Sequence, residues 1–342
     1  MDPQPIRRRL DSSTFSVSPS FEGIPGCQQI RSISSGAYGQ VHHIRMTNIR
    51  PPHQPDAALK VFKQGDNAQI NKLDCDTERA VMLEIASYEA STGQTLQISH
   101  LRQDIAGVTS PRLMLEYIPG SDLTRSQFRG YSMSQLVAFI LSMMHQIRDN
   151  VLKGLHSVNI YHNDIKPANI LFDPSKRMFY LIDFGLAVPL SLLHRSEFRY
   201  QSFWTTLPFM SPYHLQIMSR IRVREGTKIR YRLYNSSQIR RLAMNAEYYS
   251  LALTALTSIG KNCRANMQDP LCDMGRNVVD LQHKFPINAP VEFVTWDIQK
   301  IQKLLEPYWA EVEKSIRVYK KDHPQRDQEF VQLLTDWMLF PL

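Results

Sequence analysis

Cysteine is scarce in this sequence, and its placement argues against a zinc site or a cross-linked scaffold. Only four of the 342 residues are cysteine, and none forms the C-x-x-C pair that is typical of structural zinc sites. A chain of this length can bury a large core without cross-links, so we expect no disulfide framework. The four residues are Cys27, Cys75, Cys263 and Cys272. This usage favours a reducing, cytosolic working environment.

Long apolar runs are also missing. No stretch reaches the roughly 20 residues that a membrane-spanning helix needs. No apolar segment follows the three arginines at Arg7–Arg9, so we do not expect a cleaved secretory signal either. With 43% apolar and 21% charged residues, the composition is that of an ordinary globular protein.

The order of the patterns along the chain predicts an α+β protein. Residues 1–26 are rich in serine and proline and lack apolar periodicity, which indicates a flexible tail. Short apolar runs typical of strands follow at Gln29–Ser34, Gln40–Met46, Ala57–Phe62 and Leu113–Tyr117. Helical spacing characterises Thr77–Ser91, Ser134–Ser157 and most of the chain after Ala246. A β-rich first third therefore precedes a helical remainder.

A glycine-containing segment, Ser34–Val41, lies between the first two predicted strands. Its glycines, Gly36 and Gly39, would let the backbone approach phosphate oxygens and donate N–H bonds to them. A tight hairpin without a ligand explains this segment equally well when it is considered alone.

Lys60 lies on the third predicted strand, in the pattern Ala-Leu-Lys. A lysine beside a phosphate site needs a carboxylate to hold it, and the next predicted helix offers Glu78 and Glu84. We favour Glu78, because the apolar residues three, four and seven positions after it would turn its side of the helix toward the core. The alternative is that either glutamate is simply solvated.

The apolar strand around Leu115 breaks at Pro119-Gly120, a pattern that suits a hinge between two lobes. Backbone groups of Glu116 and Ile118 are candidates to pair with an adenine ring. Asp122, just after the break, is a candidate to bind a ribose hydroxyl.

Two short segments give the strongest chemical signal. The segment HNDIKPAN contains Asp164, Lys166 and Asn169, and the later segment IDFG contains Asp183. Phosphoryl transfer needs such a set: one Asp orients the attacking hydroxyl, an Asp and an Asn hold Mg²⁺ through oxygen, and a Lys neutralises charge on the moving phosphoryl group. The two segments follow a glycine loop and a strand lysine in the chain. In this order, the four motifs indicate a phosphotransfer site that uses ATP and Mg²⁺.

Together these motifs resemble the eukaryotic-type protein kinase family over roughly residues 28–342. The resemblance implies a bilobal fold, with a small β-rich N-lobe that contains one key helix at 27–118 and a larger, mainly helical C-lobe at 119–342. Lys166, two residues after the implied catalytic Asp164, resembles the Ser/Thr subgroup. The expected reaction is therefore transfer of the ATP γ-phosphate to Ser and Thr hydroxyls of protein substrates.

The resemblance also implies a role for each motif residue. The implied catalytic residues, with Asp164 as the base, are Asp164, Lys166, Lys60 and Glu78. The implied magnesium ligands are Asn169 and Asp183. The implied nucleotide-binding residues, among which Val41, Ala58 and Leu171 would enclose the adenine, are Ile33, Gly36, Gly39, Val41, Ala58, Lys60, Glu116, Ile118, Asp122 and Leu171.

Several departures from the family pattern accompany the resemblance. Ser34 replaces the first glycine of the loop, and Asn163 replaces the Arg that usually precedes the catalytic Asp. Because that Arg normally holds a phosphorylated activation loop, we expect activity without loop phosphorylation. Tyr213 replaces a Glu whose usual Arg partner would follow the point where the chain ends, so no orphaned charge is expected.

Three further expectations concern the residues around Tyr213. Glu247 stands where the family usually has an Asp, and the segment between Tyr213 and Glu247 is longer than usual. One residue of the Thr205-Thr206 pair is expected to match the structural threonine that lies beside the substrate.

Two other interpretations remain open. The H-x-D-x-x-x-x-N pattern also occurs in choline and aminoglycoside kinases, which usually lack a lysine at the position of Lys166 and the M-x-P segment. A pseudokinase scaffold is the second alternative, against which the intact motif residues argue. Trimmed kinases with Asn before the catalytic Asp resemble some bacterial effectors. The cysteine usage predicts a location in the cytoplasm, and the chain would be secreted into a host cell if it is such an effector.

The extra segment near 214–244 contains a basic stretch, Arg220–Arg232, in which basic and apolar residues alternate around Glu-Gly-Thr. Alternation and a glycine-containing link predict a β-hairpin with a three-residue turn. The predicted opposite pairs, which would gather six cations on one face, are Arg224 with Lys228, Arg222 with Arg230, and Arg220 with Arg232. This face is either a solvated edge that deters aggregation or a surface for an anionic partner such as nucleic acid, inositol phosphates or an acidic protein.

Overall fold

The computed structural model describes most of the chain. The described residues are 27–35, 39–46, 55–62, 68–103, 111–124, 128, 130–190, 205–225, 228–231, 236–264, 266–285 and 298–339. The tail predicted for residues 1–26 and the predicted phosphate-loop residue Gly36 lie outside these ranges.

The first part of the chain forms an antiparallel sheet of five strands, in the order β1-β2-β3-β5-β4. The strands are β1 (Cys27–Ser35), β2 (Gly39–Met46), β3 (Asp56–Phe62), β4 (Leu101–Gln103) and β5 (Arg112–Glu116). One helix, α1 (Ala68–Thr92), lies between β3 and β4 in the sequence and contacts β3, β4 and β5. The predicted β-rich start with a single helix is thus observed.

Helix α1 turns one side toward the core, as its spacing predicts. Val81, Met82 and Ile85 are almost completely buried, and Glu78 is buried with them. Because residues three and four positions apart lie on the same side of a helix, burial of this apolar side also carries the Glu78 carboxylate inward. The helix thereby delivers one charge to the interior beside β3.

Gly39, where β2 begins, is required by close packing. A Cβ atom at this position would lie 2.3 Å from the carbonyl oxygen of Val61 on β3. No other residue type fits without a backbone shift. The glycine therefore sets how closely β2 approaches β3, where Val41 lies opposite Lys60.

The rest of the chain is mainly helical. A short strand, β6 (Ser121–Asp122), precedes a helical stretch made of α2 (Met133–Ile147), a π-helical turn at Arg148–Leu152 and α3 (Lys153–Ser157). Ser132 starts α2 with a capping box, in which its side chain accepts from the Gln135 N–H and the Gln135 side chain accepts from the Ser132 N–H. The helix predicted over Ser134–Ser157 is therefore a single helical path with one wider turn.

Small β-elements follow, and then five helices. The strands are β7 (Ile160–Tyr161), β8 (Ile170–Asp173), β9 (Met178–Leu181) and β10 (Val188–Pro189), with β6-β8-β9 forming one sheet and β7-β10 another. The helices of the described C-terminal part are α4 (Pro212–Ile221), α5 (Ser236–Asn262), α6 (Pro270–Gln282), α7 (Ile298–Asp322) and α8 (Gln328–Met338). Helix α5 contacts α2, α4, α6 and α8 and is the centre of this half. None of the helices in the described ranges is long and apolar enough to cross a membrane.

Helices α5 and α6 cross so closely that two cysteines meet. A Cβ atom on Gly260 would lie 2.2 Å from the carbonyl oxygen of Gly275. Near this crossing, Cys263 and Cys272 are joined by a disulfide with an S–S distance of 2.13 Å. We expected no disulfide framework, and this single bridge was not predicted. Cysteine spacing alone carries no information about where two helices cross, so the bridge could not be predicted from the sequence.

The basic segment also differs from its prediction. A hairpin does form, from β11 (Arg222–Glu225) and β12 (Lys228–Tyr231), but its register differs. The pairs are Arg222 with Tyr231, Val223 with Arg230, Arg224 with Ile229, and Glu225 with Lys228. Arg220 belongs to α4, and Arg232 lies outside the described residues.

The observed register divides the cations of the hairpin. Directly opposite residues of an antiparallel pair share a face. The positions of Arg222 and Arg224 are therefore on one face, and those of Lys228 and Arg230 are on the other. The predicted array of six cations on one face is wrong, because a link of two residues replaces the predicted three and shifts the register by one.

Candidate active site

Lys60 lies at the centre of one group of charges. Its Nζ atom is 2.6 Å from Glu78 Oε2 and 2.6 Å from Asp183 Oδ1. Of the two glutamates considered on α1, the contacting one is Glu78, whose side chain is completely buried. Burial alone would lower the pKa of Lys60, but Asp183 and Glu78 outweigh it and raise the pKa. Lys60 is therefore a fixed cation that joins β3, α1 and the segment after β9.

Asp183 is held in an unusual backbone conformation. Its φ is 66° and its ψ is 76°, in the left-handed region that residues other than glycine seldom adopt. Burial alone would raise the pKa of its carboxyl group, but the charge of Lys60 and the hydrogen bond with it outweigh burial and lower the pKa. Asp183 is accordingly ionised at neutral pH. The strained turn is what brings its carboxylate to Lys60.

The paired strands β8 and β9 bring Asn169 close to Asp183. Ile170 lies opposite Leu181 in this pair, and the Ile182 N–H donates to the Asn169 carbonyl at 2.9 Å. The Asn169 side chain donates through Nδ2 to the Asp164 carbonyl at 2.8 Å and to Asp164 Oδ2 at 3.0 Å. Because both bonds use the nitrogen, the amide oxygen keeps its capacity as a ligand.

Asp164 is the centre of a second group. Thr206 Oγ1 donates to Asp164 Oδ1 at 2.6 Å, and Lys166 Nζ donates to Asp164 Oδ2 at 2.6 Å. Lys166 also donates to Thr206 Oγ1 at 2.9 Å. The three side chains form a closed triangle. Of the two candidate threonines, Thr206 is therefore the one beside the predicted catalytic residues, since it contacts both Asp164 and Lys166.

His162 orients the loop that carries Asp164. Its Nδ1 accepts from the Asp164 N–H at 3.2 Å, and its Nε2 lies 2.9 Å from the Ile182 carbonyl oxygen. These contacts require a proton on Nε2 and none on Nδ1. Burial lowers the pKa of His162, which keeps the ring neutral. The imidazole therefore links the two segments that carry Asp164 and Asp183.

The residues present suit a magnesium ion that also binds substrate phosphate. Among the described residues no cluster of three or more His, Cys, Asp or Glu side chains could hold a metal by itself. Asn169 and Asp183 offer one amide oxygen and a carboxylate, and Mg²⁺ is usually held by one or two such ligands together with water and phosphate oxygens. This donor set fits a metal that arrives with a nucleotide.

The predicted nucleotide-binding residues lie around these two groups. Val41, Ala58 and Leu171 are half-buried, and Ala58 lies opposite Leu115 in the β3–β5 pair. Ile33 falls where the β1–β2 register shifts. Ile118 is buried just after β5, and Asp122 is half-buried on β6.

Two of these residues already take part in local hydrogen bonds. The Glu116 carbonyl accepts from Ser99 Oγ at 2.8 Å and its N–H donates to the His100 carbonyl at 2.7 Å. Asp122 Oδ1 accepts from the Thr124 N–H at 2.8 Å and from the Thr124 hydroxyl. A carbonyl or carboxylate oxygen has a second lone pair, so these bonds fix both groups in place without blocking a further partner.

Comparison with known proteins agrees with this arrangement. The family model described as protein kinase domain matches residues 27–223, which is more than half of the chain. The chain belongs to the protein kinase domain family. The predicted α+β class and bilobal kinase fold are confirmed, with the five-stranded sheet and α1 in the N-lobe and the helical remainder in the C-lobe.

Curated protein kinases are similar to parts of this kinase chain. It is 26% identical over 215 residues to the serine/threonine-protein kinase RIM15 of Saccharomyces cerevisiae, covering 61% of the chain and 11% of that protein. It is 29% identical over 161 residues to serine/threonine-protein kinase D of Synechocystis, covering 46% and 29%. It is 32% identical over 161 residues to cyclin-dependent kinase 1 of Encephalitozoon cuniculi, covering 46% and 49%. The chain thus spans half or less of each of these relatives.

Asn163, where the kinase family usually has an Arg, occupies a well-defined place in the structure. Asn163 is buried, its φ is 61°, and its Nδ2 donates to the Leu186 carbonyl at 3.3 Å. Asn is among the few residues that adopt this backbone conformation readily. The position where the family usually has a cation is therefore occupied here by a neutral, buried amide.

Glu247, on α5, anchors the loop that carries Asp164. Its Oε1 accepts from the backbone N–H groups of His162 and Asn163, the second at 3.0 Å. Its Oε2 lies 2.5 Å from His156 Nε2 on α3. The longer glutamate therefore connects two elements to α5 at once. His156 was not among the predicted residues, because a histidine on a helix gives no signal until its partner is known.

Proposed function

We propose that this chain is a Ser/Thr protein kinase that transfers the γ-phosphoryl group of ATP to protein hydroxyls. The observation that carries the proposal is the pairing of the two groups: Lys60 with Glu78 and Asp183, and Asp164 with Lys166 and Thr206. The names of the similar kinases support protein Ser and Thr as acceptors. Lys166 beside Asp164 supports it as well, since the resemblance to the Ser/Thr subgroup rests on that residue.

The nucleotide would lie between the two groups. Lys60 is a permanent cation on β3, the central strand of the five-stranded sheet, and suits the α- and β-phosphates. The half-buried apolar side chains of Val41, Ala58 and Leu171 suit the faces of an adenine ring, and the backbone of Glu116 and Ile118 suits its edge.

Asn169 and Asp183 would hold the magnesium ion. When bound, Mg²⁺ neutralises phosphate charge. The chain's own contribution is position: the β8–β9 pair sets the two oxygen ligands near each other, and Lys60 keeps Asp183 ionised. A carboxylate that is already ionised binds a cation without first losing a proton.

Asp164 would act on the acceptor hydroxyl. Its carboxylate is fixed by Thr206, Lys166 and Asn169, so it orients the hydroxyl oxygen toward the γ-phosphorus and accepts the proton when the new P–O bond forms. The bond from the phosphorus to the ADP oxygen breaks as this bond forms. Lys166, 2.6 Å from Asp164 Oδ2, is close enough to stabilise charge on the transferring group.

The same site supports activity without phosphorylation of the activation loop. A phosphorylated loop needs a cation to hold it, and the buried amide of Asn163 stands where the family has one. Its Nδ2 is directed to the Leu186 carbonyl instead. The loop hydroxyls of Ser196 and Ser202, which lie outside the described residues, should therefore be dispensable.

An anionic partner and a location in the cell are two further proposals. The basic stretch Arg220–Arg232 led to the idea of a polyanion surface, and the observed register weakens it by dividing the cations between two faces. The proposed location is the cytoplasm, or the host cytoplasm if the chain is a secreted effector. The partner follows from the basic pattern of the sequence, and the location follows from the cysteine usage and the resemblance to effector kinases; binding and localisation experiments test them.

One labelling experiment tests the function. The wild-type protein and Asp164→Ala are incubated with γ-labelled ATP, Mg²⁺ and, in separate arms, casein, choline and kanamycin. We expect label on casein Ser and Thr with wild type only, and the same rate for a Ser196→Ala/Ser202→Ala variant. Label only on choline or kanamycin would show a small-molecule kinase. ATP binding without any label would show a scaffold. Loss of activity in the double Ala variant would refute loop independence alone.

A further inference from the structure

The segment that follows Thr206 is held through its backbone by one distant helix. Tyr308 and Trp309 are neighbours on α7. The Tyr308 hydroxyl donates to the Pro208 carbonyl at 2.9 Å, and Trp309 Nε1 donates to the Met210 carbonyl at 2.8 Å. Both side chains are almost completely buried. Two adjacent residues of α7 therefore hold the two carbonyls that flank Phe209.

Helices α5 and α6 complete this arrangement. Ser250 Oγ on α5 donates to the Phe209 carbonyl at 2.8 Å. Gln282 Nε2, at the end of α6, lies 3.4 Å from the Pro208 carbonyl and 2.9 Å from Thr257 Oγ1. Three successive carbonyls, at positions 208, 209 and 210, thus accept from side chains of three helices. A buried carbonyl that loses its donor is costly, so these bonds define the path of the backbone here.

The other end of this segment is attached to the catalytic centre. Thr206 contacts Asp164 through both its hydroxyl and its N–H, at 2.6 and 3.2 Å. A protein hydroxyl bound at Asp164 would therefore lie close to Thr206 and the residues that directly follow it. The segment 206–210 is consequently fixed to the reacting carboxylate at one end and to α7 at the other.

The bonds to α7 are neutral, which is notable because the resemblance to kinases predicts an ion pair close by. Tyr213, at the start of α4, takes the place of the Glu of that pair and is buried in an edge-on contact with Tyr249 at 6.5 Å. A neutral hydrogen bond in a buried site is screened little by salt. The segment is therefore held by donors whose strength does not depend on charge.

We propose that Tyr308 and Trp309 are positioning residues for the protein substrate. By fixing the carbonyls of Pro208 and Met210 they keep segment 206–210 beside Asp164, so they determine how well the acceptor protein binds. Lys60 and the hinge lie on other elements, so ATP binding should be independent of them. This inference rests on the proposed function, since it assumes a protein acceptor.

Tyr308→Phe and Tyr319→Phe form a matched pair that tests the idea. Both tyrosines lie on α7 and are buried to a similar extent. The Tyr319 hydroxyl donates to Asp327 Oδ2 at 2.8 Å, away from the segment. Each variant removes one hydroxyl group. Tyr308→Phe removes the bond to the Pro208 carbonyl and a longer contact, 3.3 Å, from Gln282 Nε2, and Tyr319→Phe removes the bond to Asp327. A purely structural role would affect both variants alike, whereas a positioning role separates them.

Steady-state kinetics with casein and ATP supply the first readout. We expect Tyr308→Phe to raise the KM for casein roughly three- to tenfold, the factor that one lost hydrogen bond typically produces. The KM for ATP should stay within about twofold, and Tyr319→Phe should match wild type in both. Trp309→Phe, which removes the donor to Met210, should act in the same direction as Tyr308→Phe.

Hydrogen–deuterium exchange supplies a readout that does not need activity. Amides in the 205–211 segment should exchange several-fold faster in Tyr308→Phe than in wild type or Tyr319→Phe. Equal exchange and equal casein KM in the two Phe variants would overturn the inference while leaving the kinase proposal intact. If wild type does not phosphorylate casein, the kinase proposal fails, and faster exchange confined to Tyr308→Phe would support only the tethering of the segment.

Discussion

Lys60 shows how a single residue can define a site. Its ammonium group is shared between Glu78 on α1 and Asp183 after β9. Two carboxylates around one lysine leave the group with net negative charge, which suits the arrival of a metal ion together with a triphosphate. The contact between Lys60 and Glu78 depends directly on where α1 lies.

The first prediction compares the two glutamates of α1. Glu78→Gln removes the charge beside Lys60 and should lower kcat/KM about a hundredfold, because a positioned charge in a catalytic site typically contributes that much. Glu84→Gln changes a half-buried glutamate on the same helix and should keep activity within about twofold. Phosphorylation of casein measures both. Equal losses in the two variants would show that α1 responds to any change rather than to Glu78.

His100 forms a second charge contact, between α1 and the hinge. Its Nε2 is 2.9 Å from Glu89 Oε1 on α1, and its Nδ1 is 3.1 Å from Glu116 Oε2 at the end of β5. Burial alone would lower the pKa of His100, but the hydrogen bonds to Glu116 and Glu89 outweigh it and raise the pKa. Both ring nitrogens act as donors only in the protonated form, so the bridge needs the imidazolium.

The second prediction gives this bridge a pH window. Because the pKa of His100 is raised in the folded state, its protonation stabilises the fold. This stabilisation is complete below the unfolded pKa of about 6.5 and is lost as pH rises through the higher folded pKa. At the acid end, the contribution ends when Glu116 is protonated. The pKa of Glu116 is lowered, chiefly by its hydrogen bond to His100, so protonation occurs below its ordinary range.

Melting temperatures of wild type and His100→Gln between pH 5.5 and 9 check this expectation. The wild-type advantage should be largest near pH 6 and shrink toward pH 9. His283→Gln, which changes an exposed histidine at the end of α6, should show no such trend. An advantage that is constant with pH would mean that the imidazolium bridge does not stabilise the fold.

At the scale of elements, the sequence predicted what depends on local pattern. The strand that carries Lys60 and the inward side of α1 follow from apolar spacing, and the loops with Asp164 and Asp183 follow from short motifs. The hairpin register was missed, because a turn of two or three residues decides every pair after it. The roles of Tyr308 and Trp309 were missed as well. They lie about a hundred positions from their partners, and no local pattern encodes such a contact.

The third prediction concerns the link between α5 and α6. The Cys263–Cys272 bridge closes a loop with a sequence separation of nine, for which the chain-entropy model gives a stabilisation of about 2.5 kcal/mol. Cys272→Ser should therefore lower the melting temperature under oxidising conditions by several degrees. With excess reductant the wild type should lose most of this advantage.

A second variant separates the bridge from packing around the sulfur atoms. Cys263→Ser changes the less buried partner, so it removes the covalent bond with less disturbance of the core than Cys272→Ser. Both variants should melt at similar temperatures if the bond is the main contribution. If reductant has no effect on wild type, the two cysteines act as packed thiols and the bridge does not form in solution.

At the scale of the whole molecule, a charged contact joins the N-lobe to the C-lobe, and aromatic stacking holds the hinge to the N-lobe sheet. Lys60 on β3 reaches Asp183 in the C-lobe. The Tyr117 ring, just after β5, stacks on His43 with ring centres 3.8 Å apart, and its hydroxyl accepts from Arg31 at 3.1 Å. These contacts fix the hinge to the sheet. A nucleotide bound beside the hinge and Lys60 would contact both lobes, so its binding should be visible in global stability.

The last prediction uses that linkage. A ligand that binds only the folded state raises stability by RT ln(1 + [L]/Kd), or about 2.7 kcal/mol at a hundredfold excess over Kd. Such a gain should raise the melting temperature of wild type by about 4 °C with ATP and Mg²⁺. Removal of Mg²⁺ with EDTA should abolish most of the shift, because Asn169 and Asp183 contact the nucleotide through the metal in the proposed arrangement. Calorimetry or dye-monitored melting measures each shift.

Two variants separate the metal site from the rest of the cleft. Asp183→Ala removes a proposed metal ligand and one partner of Lys60, so its shift with Mg²⁺ and ATP should fall to the value seen with EDTA. Asp273→Ala, which removes an exposed carboxylate on α6 that pairs with Arg276, should keep the full shift. A wild-type shift that is the same with and without EDTA would mean that nucleotide binds without the metal, and the assignment of Asn169 and Asp183 would then be wrong. Because this readout needs no turnover, it tests the metal site even if the acceptor protein is never found.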